Sequence, residues 1–165
     1  MALALADSWV WDCWFTHDGE YHHVFYLRAS RELGDPELRH HNTFIGHARS
    51  QDLREWEVLP DALAPSAAPA LDDWTTWTGS VVRDDDGLWH MFYTGRTHAD
   101  AGHVQRVVHA TSVDLLTWDK RPGWALHADD TWYEVLEDGV WTDVTWRDPW
   151  VFRGSDGMWW MYLTA

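Results

Sequence analysis

The chain has a single cysteine, Cys13, so no internal disulfide can form. Positive charge is scarce: 12 Lys+Arg stand against 27 Asp+Glu, for a formal net charge of −15. Such a surface repels phosphate backbones and anionic lipid, which excludes nucleic acid and membrane surfaces as natural partners and favours a neutral substrate. No apolar run approaches the roughly 20 residues needed to span a bilayer. The opening Met1-Ala2-Leu3-Ala4-Leu5-Ala6 is apolar but has no basic leader and stops at Asp7. That is too short for the apolar region of a signal peptide, so a cytoplasmic protein is the expectation. Sustained helical periodicity is missing, and no stretch has linker composition.

Tryptophan, by contrast, is abundant, with 15 in 165 residues. An indole offers a flat apolar face and one N–H donor, which suits both a β-rich core and the faces and hydroxyls of sugars. Many of these rings stand in strand patterns. Trp146-Arg147-Asp148-Pro149-Trp150 leads through Gly154-Ser155-Asp156-Gly157 into Met158-Trp159-Trp160-Met161-Tyr162-Leu163, which reads as a β-hairpin. Trp11-Asp12-Cys13-Trp14-Phe15 leads through Asp18-Gly19 into Tyr21–Leu27, and Trp77-Thr78-Gly79-Ser80 leads through Asp84-Asp85-Asp86-Gly87 into Leu88–Thr94. Three hairpins thus begin alike, and two open on an aspartate.

A second repeat follows. His47-Ala48-Arg49-Ser50-Gln51-Asp52-Leu53-Arg54-Glu55-Trp56 returns 62 residues later as His109-Ala110-Thr111-Ser112-Val113-Asp114-Leu115-Leu116-Thr117-Trp118. Each unit reads as a hairpin, a strand ending in His-Ala, a Ser-x-Asp-Leu turn and a short strand carrying Trp. Ser and Asp hydrogen-bond nearby backbone, so the turn residues are structural. Four strands per unit at this period predict an all-β fold of propeller blades. About two and a half blades fit in residues 1–165: blades 1 and 2 and the start of a third.

Asp12 and Asp148 hold equivalent places and are expected to converge at one end of a common channel. Paired carboxylates in different environments are the usual equipment of glycoside hydrolysis. Arg147 would keep Asp148 ionised or bind a substrate hydroxyl. Asp84-Asp85-Asp86-Gly87 reads as a hairpin turn. The pairs His22-His23 and His40-His41 lack spaced partners for a metal set. Cys13, set between aromatics, reads as packing.

Trp11-Asp12-Cys13-Trp14, Trp77-Thr78-Gly79-Ser80 and Arg147-Asp148-Pro149, in this order, resemble the furanosidase clan of glycoside hydrolases: families 32 and 68 (fructofuranosidases, levansucrases), with family 43 (arabinofuranosidases, xylosidases) as a close relative. The resemblance implies a five-bladed β-propeller whose N-terminal part is this chain, acting on a β-fructofuranoside or other furanoside carbohydrate without metal or organic cofactor. By it Asp12 matches the nucleophile and Asp148 the transition-state stabiliser, assisted by Arg147. Trp11, Trp14, Trp77 and Thr78 match substrate-binding positions. The family's acid/base glutamate lies C-terminal to Arg-Asp-Pro, yet no Glu follows Asp148 here, and Glu134 and Glu137 precede it. The 165-residue chain is therefore expected to be inactive on its own and, with Met158–Leu163 as an open edge, prone to association. Two rival readings remain open: a propeller fragment that holds sugar without cleaving it, and a purely structural repeat protein.

Overall fold

The computed structural model describes residues 3–139 and 141–165. Met1 and Ala2 of the apolar opening, and Val140 of the acidic loop before Asp143, lie outside the described residues. Strands β1 (Ser8–His17), β2 (His22–Ser30), β3 (Phe44–Ser50) and β4 (Glu57–Leu63) form one antiparallel sheet in chain order. Strands β5 (Thr75–Arg83), β6 (Trp89–Arg96), β7 (Arg106–Ser112) and β8 (Asp119–Leu126) form a second sheet of the same order. Strands β9 (Arg147–Arg153) and β10 (Trp159–Thr164) pair as a third, two-stranded sheet. The first strands are neighbours, β1 beside β5 and β5 beside β9. These are two and a half propeller blades arranged about their inner strands. Trp56 and Trp118 stand just ahead of β4 and β8 rather than inside them.

The two Ser-x-Asp-Leu turns are built alike. Asp52 Oδ1 accepts the backbone N–H groups of Arg54 and Glu55, both at 2.9 Å, and Asp114 Oδ1 accepts those of Leu116 and Thr117 at 2.9 and 2.8 Å. The leucine of each turn has positive φ, 60° at Leu53 and 64° at Leu115. Leucine does not favour that region on its own. The carboxylate's two bonds to following amides, together with the burial of Leu115, hold it there.

Alternation along β2 and β3 puts Phe25, Leu27 and Ile45 on one face of blade 1. There they meet Met91, Tyr93, Val108 and Ala110 of blade 2 in one buried cluster, with Trp118 against it. The opposite face, carrying Val24, Tyr26 and Ala48, is covered by Leu3, Leu5, Val10 and Trp56. The apolar opening of the chain therefore packs as a cover on blade 1.

The conserved spacing of the repeats builds the same polar line through both blades. In blade 1, Asp18 Oδ2 meets His23 Nε2 at 3.1 Å, and His23 Nδ1 meets His47 Nε2 at 2.8 Å. In blade 2, Asp84 Oδ2 meets His90 Nε2 at 3.0 Å, and His90 Nδ1 meets His109 Nε2 at 3.0 Å. Phe25 stacks on His47 at 4.4 Å and Phe92 on His109 at 4.6 Å. Burial, with the neighbouring His23 adding to it, holds His47 down to about 3, and burial with His90 holds His109 to about 4. Both rings are neutral at pH 7. Asp18 is held at about 2: burial opposes ionisation, but hydrogen bonds from the Tyr21 and Glu20 amides and from His23 outweigh it.

Two predictions follow from these contacts. A histidine with a lowered folded pKa takes up its proton more readily when unfolded, so stability falls as pH drops from 6.5 toward 3. At pH 5, His47 alone accounts for a loss of about 2 kcal/mol. Asp18 acts in the same direction below its unfolded value of 3.8. Melting midpoints at pH 7 and pH 5 should differ accordingly, and His47→Gln, although less stable at pH 7, should flatten the slope; an equal slope in the variant would refute the assignment. Second, Met158, Trp159, Trp160 and Tyr162 are all exposed, and β10 has β9 as its single neighbour among the described residues. Such an edge invites pairing. Size-exclusion chromatography with light scattering on the 165-residue chain should show oligomers, and a compact monomer would contradict this.

Candidate active site

Each inner strand carries one residue more than its partner across a register shift. The β1–β2 register shifts between Trp11 and Cys13, passing over Asp12, and the β5–β6 register shifts between Trp77 and Gly79, passing over Thr78. In the third sheet Tyr162 pairs with Trp150 and Thr164 with Arg147, which leaves Asp148 and Pro149 unpaired. A β-bulge turns the extra side chain out of the alternation and re-aims it. Asp12, Thr78 and Asp148 occupy the bulges of three adjacent inner strands. Asp12 and Asp148 adopt positive φ, 22° and 56°, a region aspartate tolerates better than most residues. Gly79 completes the bulge of β5, where a Cβ would sit 2.3 Å from the Phe92 carbonyl oxygen.

Asp12 and Thr78 are bonded to each other, and Asp148 has partners of its own. Thr78 Oγ1 donates to Asp12 Oδ2 at 2.7 Å. Arg147 Nε donates to Asp148 Oδ2 at 3.3 Å, and Thr164 Oγ1 to the same oxygen at 3.4 Å. Burial raises the Asp148 pKa above its ordinary value; Arg147 opposes this, and the charge of Asp12 adds to the rise. The two carboxyl groups therefore share one electrostatic neighbourhood.

Aromatic rings wall this place. A 3-10 turn, Pro36–His41, is capped by Asp35, whose Oδ1 accepts the Glu37 N–H at 2.9 Å. It carries His40 edge-on to Trp11 at 5.7 Å and to Trp77 at 6.2 Å. Arg39 lies over Trp11 at 5.7 Å. Arg96 lies over Trp77 at 4.3 Å and over Trp74 at 5.2 Å. Trp74 is itself stacked between His41 and His98.

Among the residues singled out from sequence, Trp11, Asp12, Thr78, Arg147 and Asp148 stand at this place, and Trp77 joins them with a difference. Its Nε1 donates to the His40 carbonyl at 2.8 Å, so the ring and not the N–H is left for a ligand. Trp14 is corrected: it is 3% exposed and stacked on Phe25 in the core, because the extra residue at Asp12 brings it to the face that packs against blade 2, the face Trp11 also touches. Cys13 is corrected too, being exposed rather than packed. Glu134 Oε1 accepts the Trp141 N–H at 2.9 Å within its own loop. Among the described residues, no cluster of three or more His, Cys, Asp or Glu is placed to hold a metal ion. Sequence reasoning weighed His40 only as a metal ligand and passed over Thr94 and Gln105, whose positions follow from strand pairing and loop path, with no local pattern to mark them.

The coupling of the two aspartates has a direct consequence. Asp12→Asn removes a negative charge that raises the Asp148 pKa, so Asp148 should titrate at lower pH in that variant. A 13C carboxyl titration by NMR reads this, and an unmoved Asp148 would contradict the shared site.

The profile of the glycosyl hydrolases family 32 N-terminal domain matches residues 12–165. Over 125 residues the chain is 34% identical to sucrose-6-phosphate hydrolase of Escherichia coli, covering 73% of this chain and 23% of that protein. It is 29% identical over 153 residues to raffinose invertase of Escherichia coli, covering 90% of this chain and 28% of that protein. Among solved structures, fructan 1-exohydrolase IIa of Cichorium intybus superposes with a TM-score of 0.67 at 24% identity, over 96% of this chain and 28% of that one. Bacillus subtilis levansucrase superposes with a TM-score of 0.65 at 18% identity, over 91% of this chain and 40% of that one; both likenesses concern the fold. The chain thus spans about a quarter of the length of these curated relatives. With a four-stranded repeat, bulged aspartates on two inner strands and a family profile over nearly its whole length, the chain belongs to glycosyl hydrolase family 32.

Proposed function

We propose that the protein carrying this chain cleaves β-fructofuranosidic bonds, with the chain supplying the first two blades and the start of the third of a single catalytic propeller domain. The observation that carries the reading is the alignment of bulged Asp12, Thr78 and Asp148 on neighbouring inner strands, with Asp148 sensing the charge of Asp12.

In this reading Asp12 is the nucleophile. Its carboxylate attacks the anomeric carbon of a bound fructosyl unit as the bond to the glycosidic oxygen breaks. The bond from Thr78 Oγ1 to Asp12 Oδ2 fixes the carboxylate's rotation and leaves Oδ1 for attack. Asp148 accepts hydrogen bonds from sugar hydroxyls. Those bonds strengthen as positive charge develops on the ring, and Arg147 helps to keep Asp148 ionised. Trp11 and the ring of Trp77 offer apolar surface for the sugar. The leaving oxygen needs a proton, and the residues after Asp148 in this chain contain no glutamate. That donor belongs to another part of the propeller, so the 165-residue chain is inactive on its own and binds fructosides without cleaving them.

The acidic surface, at net −15, fits a neutral saccharide rather than a polyanion. No helix among the described residues is long and apolar enough to cross a membrane. A cytoplasmic location is part of the proposal.

The test is an assay of the product of the complete open reading frame on sucrose, inulin-type fructan, and aryl fructofuranosides, arabinofuranosides and xylosides. Turnover of fructosides is expected. Asp12→Asn should lower kcat by about 10⁴-fold or more, as loss of a nucleophile does. Asp148→Asn should lower it by about 10²–10³-fold, the scale of a lost electrostatic stabiliser. Full activity in Asp12→Asn would reject the nucleophile role, and turnover of arabinofuranosides or xylosides alone would move the protein to family 43 chemistry.

A further inference from the structure

Two buried side chains outside the reacting groups hold the Arg147–Asp148 pair in place. Thr94 on β6 is fully buried, and Gln105, just ahead of β7, is 2% exposed, so neither touches a sugar. The backbone N–H of Asp148 donates to Thr94 Oγ1 at 3.0 Å. Thr94 Oγ1 in turn donates its one hydrogen to the Thr78 carbonyl oxygen at 3.2 Å. Thr78 then donates from its own hydroxyl to Asp12 at 2.7 Å. A continuous line thus runs from Asp12 through Thr78 and Thr94 to the Asp148 backbone, crossing the inner strands β1, β5 and β9 by way of β6. A second line enters from the side: Arg147 Nη1 donates to Gln105 Oε1 at 3.0 Å, while Arg147 Nε faces Asp148.

We propose that Thr94 and Gln105 are positioning residues that set the placement of Asp148 and Arg147 relative to Asp12. The inference rests on the fructosidase reading above. Its physical basis is the strain at Asp148, whose φ of 56° persists only if neighbours impose it. The hydroxyl of Thr94 is the partner that captures the amide in this conformation. A threonine hydroxyl has one hydrogen and two lone pairs, so it can accept from Asp148 and donate to Thr78 at once, which valine of nearly equal shape cannot. Gln105 supplies a neutral acceptor that orients the guanidinium without competing with Asp148 for its charge. The polar line also joins consecutive blades, so the separation of the two carboxylates follows from how blade 2 seats against the third sheet.

The experiment compares Thr94→Val, Thr94→Ser and Gln105→Met in the product of the complete open reading frame, with Asp12→Asn as control. Thr94→Val should lower kcat by about 10–100-fold, the scale of a misplaced reacting group, with KM within about threefold. Thr94→Ser, which keeps the hydroxyl, should recover kcat to within about threefold of the parent. Gln105→Met should lower kcat by about 10-fold on the same argument. In the 165-residue chain, the Asp148 amide should exchange at least about tenfold faster in Thr94→Val than in Thr94→Ser, because its acceptor is lost. Should Thr94→Val fail to fold, Gln105→Met decides on the same kcat and KM limits. Folded variants with kcat within twofold of the parent, or a serine that fails to restore it, would overturn the proposal. If Asp12→Asn keeps its turnover, the functional reading itself has failed. If Asp12→Asn is dead while Thr94→Val is unimpaired, the positioning roles alone have failed.

Discussion

One extra residue in each inner strand organises the place where Asp12, Thr78 and Asp148 leave the strand alternation. Without the bulges, strict alternation would assign Asp12, Thr78 and Asp148 to blade faces, where a carboxylate meets the apolar packing between sheets. With them, the three side chains leave the alternation together while the strands on either side keep their register. The cost is backbone strain at Asp12 and Asp148. It is offset locally by hydrogen bonds that cross from sheet to sheet, through Thr78, Thr94 and Ser80, whose Oγ accepts the Val151 N–H at 3.0 Å. The site is therefore a property of adjacent blades and not of any one of them.

The packing between blades has its own repeated device. The His-Ala strands place His47 and His109 against phenylalanine rings, and each histidine meets a second one that ends on a turn aspartate. A buried imidazole is tolerable because its partner satisfies it, and burial keeps it uncharged. Blade 1 presents Phe25 and His47 to blade 2, which covers them fully. In blade 2, Phe92 and His109 meet Trp124 of the same blade at 5.8 and 5.3 Å, and His109 stays partly exposed.

Tryptophan is divided among these tasks. Trp14, Trp89 and Trp146 are core. Trp118 closes the seam against Phe25. Trp11, Trp74 and Trp77 stand on or just ahead of the inner strands β1 and β5, held by Arg39, Arg96 and three histidines. In a chain of net charge −15, seven of its few arginines lie over aromatic rings among the described residues, Arg39 and Arg96 among them. The core expectation for the indoles holds for Trp14, Trp89 and Trp146.

The all-β class, the four-stranded unit and the hairpin openings were legible in the sequence, because strand pairing repeats locally and a duplicated unit shows its period directly. Asp12, Thr78 and Asp148 could be singled out as candidates for the same reason: each sits at the opening of its hairpin, where the register shifts. Trp14 could not be assigned correctly, since a one-residue bulge inverts the face of everything after it and leaves no mark in composition. Thr94 and Gln105 were equally hidden, because their importance lies in hydrogen bonds to residues 54 and 42 positions away. Local pattern thus determined the strands and the chemistry-bearing residue types. Tertiary packing alone decided which of them share one electrostatic neighbourhood and which are buried, since those depend on register and on contacts between blades that no local stretch encodes.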